Sequence, residues 1–338
     1  MGFKTKIKMA RILTGIQSTG NPHLGNLFGV IFPSIELANS KEGSFFFIAD
    51  LHSLTHIKDP KILKKFTYKV ASVWLSCGLD SGSDRVALYR QSDVPEVTEL
   101  AWYLTCFYPY QRLKLTHSFK DKLSYLDDVN TGLFTYPLLM ASDILLSDAE
   151  KIPLGRDQLQ HIEITREIAK RFNREMGDIF ILPEPIVNEW FIPGLDGKKM
   201  SKSRGNVIDI FLSDMELQRQ VMTIKTDNSH LHATKNTDRD IVYYLYKLLA
   251  SKKKVYEMKD SYLEGDYGYF QAKEALYSLL LDSFSIEREK FAFFIQNPFV
   301  VEKILAKGAL KASKAAKITI DRIRKALGFG DMAEFGLN

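Results

Sequence analysis

Cysteine is nearly missing from this chain: 338 residues contain two, Cys77 and Cys106. Two thiols cannot build a disulfide framework or a four-thiolate metal site, so a reducing compartment is the default. No apolar run approaches the ~18 residues of a membrane span, and the basic segment Met1–Arg11 has no apolar signal core behind it. An excess of one charge is also lacking. The 46 Lys+Arg stand against 41 Asp+Glu, net +5, which by itself identifies no polyanion partner. With Gly 20 and Pro 11, the chain has too few of either for a collagen-like or low-complexity polymer. What these absences leave is a soluble, cytoplasmic globular protein, and at ~150 residues per domain the length allows about two domains.

The first half alternates strands and helices. Strand-like apolar runs are expected at 11–15, 44–49, 85–90 and 151–153, with helices at 23–39, 60–77, 95–106, 134–146 and 157–173. Such alternation predicts an α/β fold, a Rossmann-like doubly wound parallel sheet with its ligand site at the carboxyl ends of the strands. Beyond about 210 the strand-like runs thin out. Helical spacing dominates near 239–252, 269–284, 298–306 and 310–326. The expected division is therefore a catalytic domain over 1–210 and a mainly helical domain over 211–338.

Two stretches carry chemistry. In Gly15–Gly29 a strand ends in a glycine-bearing loop and a helix begins near Pro22-His23-Leu24-Gly25. Free N–H groups at a helix start suit a phosphate, Gly25 permits close backbone approach, and His23 and Asn26 supply donors. Gly197-Lys-Lys-Met-Ser-Lys-Ser-Arg-Gly205 packs four cations, two hydroxyls and two glycines into nine residues. A flexible loop of that composition can close over a polyphosphate and stabilise a leaving pyrophosphate. Taken singly, the first is equally a turn and the second equally an exposed basic loop.

A third feature lies on the helix expected over 134–146. Tyr136, Met140 and Asp143 share one face. Asp143 stands among Leu138, Leu139, Ile144 and Leu145 and needs a hydrogen-bond donor if buried. A paired core carboxylate meets that need, and so does an indole N–H.

In order along the chain, these stretches resemble the class I aminoacyl-tRNA synthetases. Pro22-His23-Leu24-Gly25-Asn26 is similar to their first motif (His-Ile-Gly-His and its variants), and Lys199-Met200-Ser201-Lys202-Ser203 matches the second in full. Thr14-Gly-Ile-Gln17, Asp50-Leu-His52-Ser-Leu-Thr55, Tyr136-Pro-Leu-Leu-Met140-Ala-Ser-Asp143 and Pro153-Leu-Gly155-Arg-Asp157-Gln158-Leu-Gln-His161 resemble the bacterial tryptophanyl branch, and the similarity runs through nearly the whole chain. The resemblance implies a two-step reaction: tryptophan and ATP give tryptophanyl-adenylate and pyrophosphate, and tRNA(Trp) then accepts the aminoacyl group. It implies ATP contacts from Gln17, Thr19, Gly20, His23, Gly25, Asn26, Lys122, Gly155, Asp157, Gln158, Lys199, Met200, Ser201, Lys202 and Ser203. His23, Asn26, Lys199 and Lys202 are its catalytic groups. Tryptophan is assigned to Gln17, His52, Tyr136, Met140, Asp143 and Gln158, with Asp143 at the indole nitrogen and Met140 at the ring face. Mg²⁺ is expected to come with ATP, without metal ligands of the protein's own, and a homodimer is implied.

The chain departs from the family pattern at four places. His23 stands where bacterial tryptophan enzymes usually have Thr, Gln17-Ser-Thr-Gly20 replaces Gln-Pro-Ser-Gly, and Arg156 and Arg204 occupy positions where acids are common. Tyrosyl-tRNA synthetase is the nearest alternative, but the apolar Met140 and the Gly155–His161 stretch favour tryptophan. A nucleotidyltransferase with a His-x-Gly-His loop would lack the lysine motif, and a non-catalytic paralogue need not keep both sets of charged residues. Finally, eight basic residues and one acid lie between Lys303 and Lys325. A solvated helix face accounts for them, and the resemblance offers a tRNA-facing surface instead.

Overall fold

The computed structural model describes residues 11–39, 43–114, 130–227, 234–265 and 267–329. Five parallel strands form one sheet: β1 Arg11–Ile16, β2 Gly43–Ile48, β3 Val86–Arg90, β4 Lys151–Gly155 and β5 Glu184–Asn188, in the order β3-β2-β1-β4-β5. The α/β doubly wound expectation holds, and four strands lie where their apolar runs predict them. β5 is additional. It is an edge strand containing Pro185 with no residue fully buried, so it lacks the apolar run that betrays an inner strand.

Alternate residues of the strands feed two cores. Phe46, Ile48 and Leu88 join Leu24, Leu27, Ile31 and Trp74 on one face. On the other, Leu13, Phe47, Ala49 and Tyr89 pack against Leu100, Leu138, Ile144 and Ile162. The first core continues without a break into Leu217, Val242, Tyr262 and Leu276 of the helical region. Among the described residues, no helix is long and apolar enough to cross a membrane.

The helix after the first motif is not uniform. Leu24–Asn26 is followed by a π-helical turn, Leu27–Ile31, and then by Phe32–Asn39. Pro33 is the cause the sequence supplies. It has no N–H for the carbonyl of Gly29, and the Asn188 amide at the end of β5 donates to that carbonyl instead, at 3.0 Å.

Among the described residues, six helices follow residue 210: Asp214–Met222, Ile241–Leu249, Lys252–Glu264, Tyr269–Ser283, Ser285–Gln296 and Pro298–Ala326. The two segments expected at 298–306 and 310–326 are one helix of 29 residues. Gly308, between the two expected segments, serves a packing contact. Its backbone lies against Leu88 of β3, where a Cβ would overlap the Leu88 carbonyl. The helix thereby covers the open edge of β3. Val301 and Leu305 enter the first core, and Ala309, Ala312, Ala316, Ile320 and Ile323 enter the second. This helix returns from the helical region to complete the sheet.

Polar anchors fasten it. Lys311 Nζ donates to the carbonyls of Ser83 and Val86 at 2.6 and 2.9 Å. Arg322 pairs with Asp148 and Arg324 with Glu99, both at 2.6 Å. Replacing Gly308 by Ala is expected to cost about 1–3 kcal/mol through overpacking. Gly29, with open space around it, should accept Ala at no cost or gain up to about 1 kcal/mol. Urea denaturation of the two variants checks this, and equal stability would remove the packing role of Gly308.

Candidate active site

The strand order reverses between β1 and β4, which in an open parallel sheet places a crevice at the carboxyl ends of those two strands. Loop 17–23 enters it from β1 and the turn Arg156–Gln158 from β4. The lysine motif lies beyond β5, yet folds back onto the same crevice. Gly25 is the meeting point. Its N–H lies 3.3 Å from the Met200 sulfur, and a Cβ there would sit 3.0 Å from His23 Nδ1 and 3.3 Å from Met200 Cβ. This tight approach favours glycine, and the close neighbour is the second motif rather than the ligand the sequence reading expects.

Asn206 organises the lysine loop. Its Oδ1 accepts the Ser201 N–H at 2.8 Å, while Nδ2 donates to the Asp196 carboxylate at 2.6 Å and to the Lys199 carbonyl at 3.3 Å. Met200 is buried, its N–H bonded to the Ile192 carbonyl at 3.0 Å. The loop expected to be flexible is thus tied at its base, with Lys198, Lys199, Ser203, Arg204 and Gly205 exposed. Ser201 and Ser203 hydroxyls lie 2.9 Å apart.

Both lysines of the motif reach across the crevice. Lys202 Nζ donates to the Gly20 carbonyl at 3.0 Å, and Lys199 pairs with Asp157 at 2.7 Å. Burial pulls the Lys202 ammonium down to about 8, partly opposed by the Asp209 carboxylate. Asp209 also accepts from Asn21 Nδ2 at 2.6 Å, tying the two loops together. Asp157 is held below the usual carboxylate range: burial raises it, but the bonds from Lys199 and Gln158 outweigh that. Gly155 leaves room for this carboxylate, since a Cβ there would stand 2.9 Å from Asp157 Oδ1.

His23 is buried, and burial together with the nearby Lys202 charge lowers its pKa to about 4. It is neutral at pH 7. Its Nδ1 has no partner among the described residues. Asn26 uses Oδ1 to accept the His23 N–H at 3.1 Å, which caps the helix start. An orphaned imidazole nitrogen, a cradle that a Cβ would fill and two ammonium groups fit a nucleotide polyphosphate. Thr19 is half-buried and Gln17 exposed at the rim of the same loop. Lys122 lies outside the described residues.

A second cluster occupies the helix Thr131–Leu146. Asp143 is buried and accepts from His52 Nε2 at 3.2 Å. Burial raises its pKa, against the lowering effect of the His52 and Gln91 hydrogen bonds. The Tyr136 hydroxyl lies 3.2 Å from His161 Nε2, and its ring meets His52 edge-on at 6.3 Å between centroids. Met140 is half-buried between Tyr136 and Asp143 on the face the spacing predicts. At the β1 end of the pocket, Gly15 gives its place to the Phe47 ring, which a Cβ would overlap.

The geometry therefore groups Gly20, His23, Gly25, Asn26, Gly155, Asp157, Gln158 and the lysine loop at one end, and His52, Tyr136, Met140 and Asp143 at the other. Gln91, His161, Asn206 and Asp209 are participants that sequence reasoning leaves unassigned. His161 falls within a quoted motif. The other three give no signal beyond being polar residues beside apolar runs.

A strand-order switch holding one glycine-bearing loop at a helix start and one lysine-rich loop is the arrangement of a nucleotide-binding core. The chain belongs to the family described as tRNA synthetases class I (W and Y), whose profile matches residues 5–285. It is 42% identical over 321 residues to a tryptophan–tRNA ligase from Fusobacterium nucleatum, covering 94% of this chain and 97% of that one. Its structure is similar to a Campylobacter jejuni tryptophanyl-tRNA synthetase complexed with ADP and tryptophan, with TM-score 0.89, 39% identity, and 94% and 99% coverage. An Archaeoglobus fulgidus tyrosyl-tRNA synthetase shares the fold at TM-score 0.63 and 18% identity, covering 85% of this chain and 91% of that one.

His23 generates a pH prediction. Its folded pKa lies below the ordinary 6.5, so stability from the neutral imidazole is complete above 6.5 and is lost as pH falls toward about 4. An NMR titration should find the His23 pKa well below 6.5. Lys202→Ala should raise it only partway, because burial is the larger cause. A value near 6.5 in the parent protein would contradict the buried site.

Proposed function

We propose that this crevice activates L-tryptophan with ATP and passes the tryptophanyl group to tRNA(Trp), the work of a tryptophan–tRNA ligase. The observation that carries it is the Gly25–Met200 contact, which joins the two class I motifs.

The amino-acid carboxylate is ionised at pH 7 and needs no general base. One of its oxygens attacks the α-phosphorus, the bond to the bridging oxygen of the β-phosphate breaks, and the electron pair leaves with pyrophosphate. Catalysis then reduces to alignment and charge stabilisation. Lys199 and Lys202 exchange their present acceptors, Asp157 and the Gly20 carbonyl, for β- and γ-phosphate oxygens. Neutral His23 offers an N–H hydrogen bond, and Asn26, whose oxygen is engaged, offers its amide donors. No cluster of three His, Cys, Asp or Glu side chains capable of holding a metal occurs among the described residues. Mg²⁺, expected to accompany ATP, would be held mainly through phosphate oxygens and water and would neutralise charge there.

Asp143 meets the indole N–H, Met140 the ring face, and Tyr136, Gln17 and Gln158 the ammonium and carboxylate, with His52 at the wall. A pocket built on a buried acceptor rejects a ring lacking the donor by ~10⁴–10⁵.

For tRNA, the basic helix divides. Lys311, Arg322 and Arg324 anchor it to the sheet, as described above. Lys303, Lys307, Lys314 and Lys317 are exposed and make no ion pair with described residues, which supports a phosphate-facing ridge. The dimer is proposed on family resemblance, supported by the exposed Trp102 and Tyr110. The cytoplasm is the proposed location.

ATP–pyrophosphate exchange should proceed with tryptophan and run at least about a hundredfold slower with tyrosine. Lys202→Ala should depress it far more than tryptophan binding. Equal exchange with the two amino acids would overturn the pocket assignment. Reversing Lys303, Lys307 and Lys314 to Glu should weaken tRNA binding and flatten its salt dependence by up to about three phosphate contacts, without changing exchange. An unaltered salt slope would return that face to plain solvent.

A further inference from the structure

Gln91 is fully buried, in the single 3₁₀ turn Gln91–Asp93 that follows β3. Burying a neutral amide in a core needs partners, and these are specific. Its Nε2 stands 2.9 Å from Asp143 Oδ1 and 2.8 Å from Oδ2. Its Oε1 accepts the backbone N–H of His52 at 3.3 Å. His52 closes the ring through Nε2 to Asp143 Oδ2. The turn itself is locked: the Asp50 carboxylate accepts the Ser92 N–H at 3.0 Å and the Ser92 hydroxyl at 2.5 Å. Gln91 has no freedom to swing away.

An ionised carboxylate offers about four lone-pair positions. Gln91 and His52 occupy three, two on Oδ2 and one on Oδ1. We infer that Gln91 is a positioning residue for amino-acid selection: it fixes the Asp143 carboxylate and leaves one acceptor position on Oδ1, matched to a ring that carries one N–H and no acceptor. The inference rests on the assignment of the ring to Asp143 in the proposed function.

Charge works in the same direction. The groups facing Asp143 are His52 and Asp50 from the helix Asp50–Ser53, and Tyr89 and Gln91 from β3 and its turn. Burial and the Asp50 charge favour the protonated carboxyl, whereas the His52 and Gln91 bonds favour the carboxylate. Without Gln91, two acceptor positions lose their donor and Asp143 takes up a proton at higher pH. A carboxyl that carries a proton presents a donor where the indole needs an acceptor. The acid limb of tryptophan use must then move upward.

The test is Gln91→Met, which fills similar space without an amide, assayed by ATP–pyrophosphate exchange between about pH 5.5 and 8.5. The KM for tryptophan should rise about tenfold or more at pH 7, the loss of one charge-assisted hydrogen bond. The acid limb of kcat/KM should move up by roughly one pH unit, with kcat and the KM for ATP within about threefold of the parent. A folded variant whose limb and KM for tryptophan stay put would overturn the role. Should Gln91→Met fail to fold, Gln91→Glu keeps the shape and removes the paired donors, and the same upward shift is expected. Asp143→Asn separates the two claims. If it leaves the KM for tryptophan unchanged, the pocket assignment itself fails. If it raises that KM and Gln91→Met does not, only the role of Gln91 fails.

Discussion

The contact between Gly25 and Met200 is the constraint on which the site depends. One residue begins a helix after β1, and the other belongs to a loop reached only after β4 and β5. They meet because the sheet reverses its winding between β1 and β4, leaving both loops above one crevice. The missing Cβ at 25 lets the chains approach, and burial changes the chemistry of what lies alongside. His23, lowered to about 4, stays neutral into mildly acid pH, and Lys202 drops to about 8. In the proposed function these two groups meet phosphate oxygens, where a poorly solvated ammonium gains more from an anion than an exposed one would.

The other end of the site depends on a saturated carboxylate. Asp143 sits in a wall of apolar side chains, and its burial would favour protonation if it stood alone. Hydrogen bonds from His52 and Gln91 counter that, so the same residues that make the carboxylate tolerable also decide what it has left to offer. Specificity here is the remainder of a satisfied network. The C-terminal helix has a comparable double character. Gly308, Lys311, Arg322 and Arg324 bind it to the sheet edge and leave a separate set of lysines facing outward, the set proposed to face tRNA.

Much of this was legible in the amino-acid order. Alternating apolar runs disclosed four strands, and glycine, histidine and lysine at motif spacing disclosed the phosphate end. Tyr136, Met140 and Asp143 disclosed their shared face through helical periodicity. What escaped did so for physical reasons. β5 is a half-exposed edge with a proline, and Lys252–Glu264 is too polar to show a stripe. The close packing of Gly308 on Leu88 depends on a strand more than 200 residues away and leaves no local signal. Gln91 and Asn206 act through hydrogen bonds to residues 52 and 10 positions away in the chain or nearby, and such partnerships leave no periodic trace.

A crystal structure with tryptophan and a non-hydrolysable ATP analogue tests the central claim most directly. The account places the triphosphate over Gly25, with Lys202 withdrawn from the Gly20 carbonyl and Lys199 from Asp157 onto phosphate oxygens, and the indole N–H on Asp143 Oδ1. A nucleotide bound away from this crevice, or an indole ring that leaves Asp143 untouched, would contradict it.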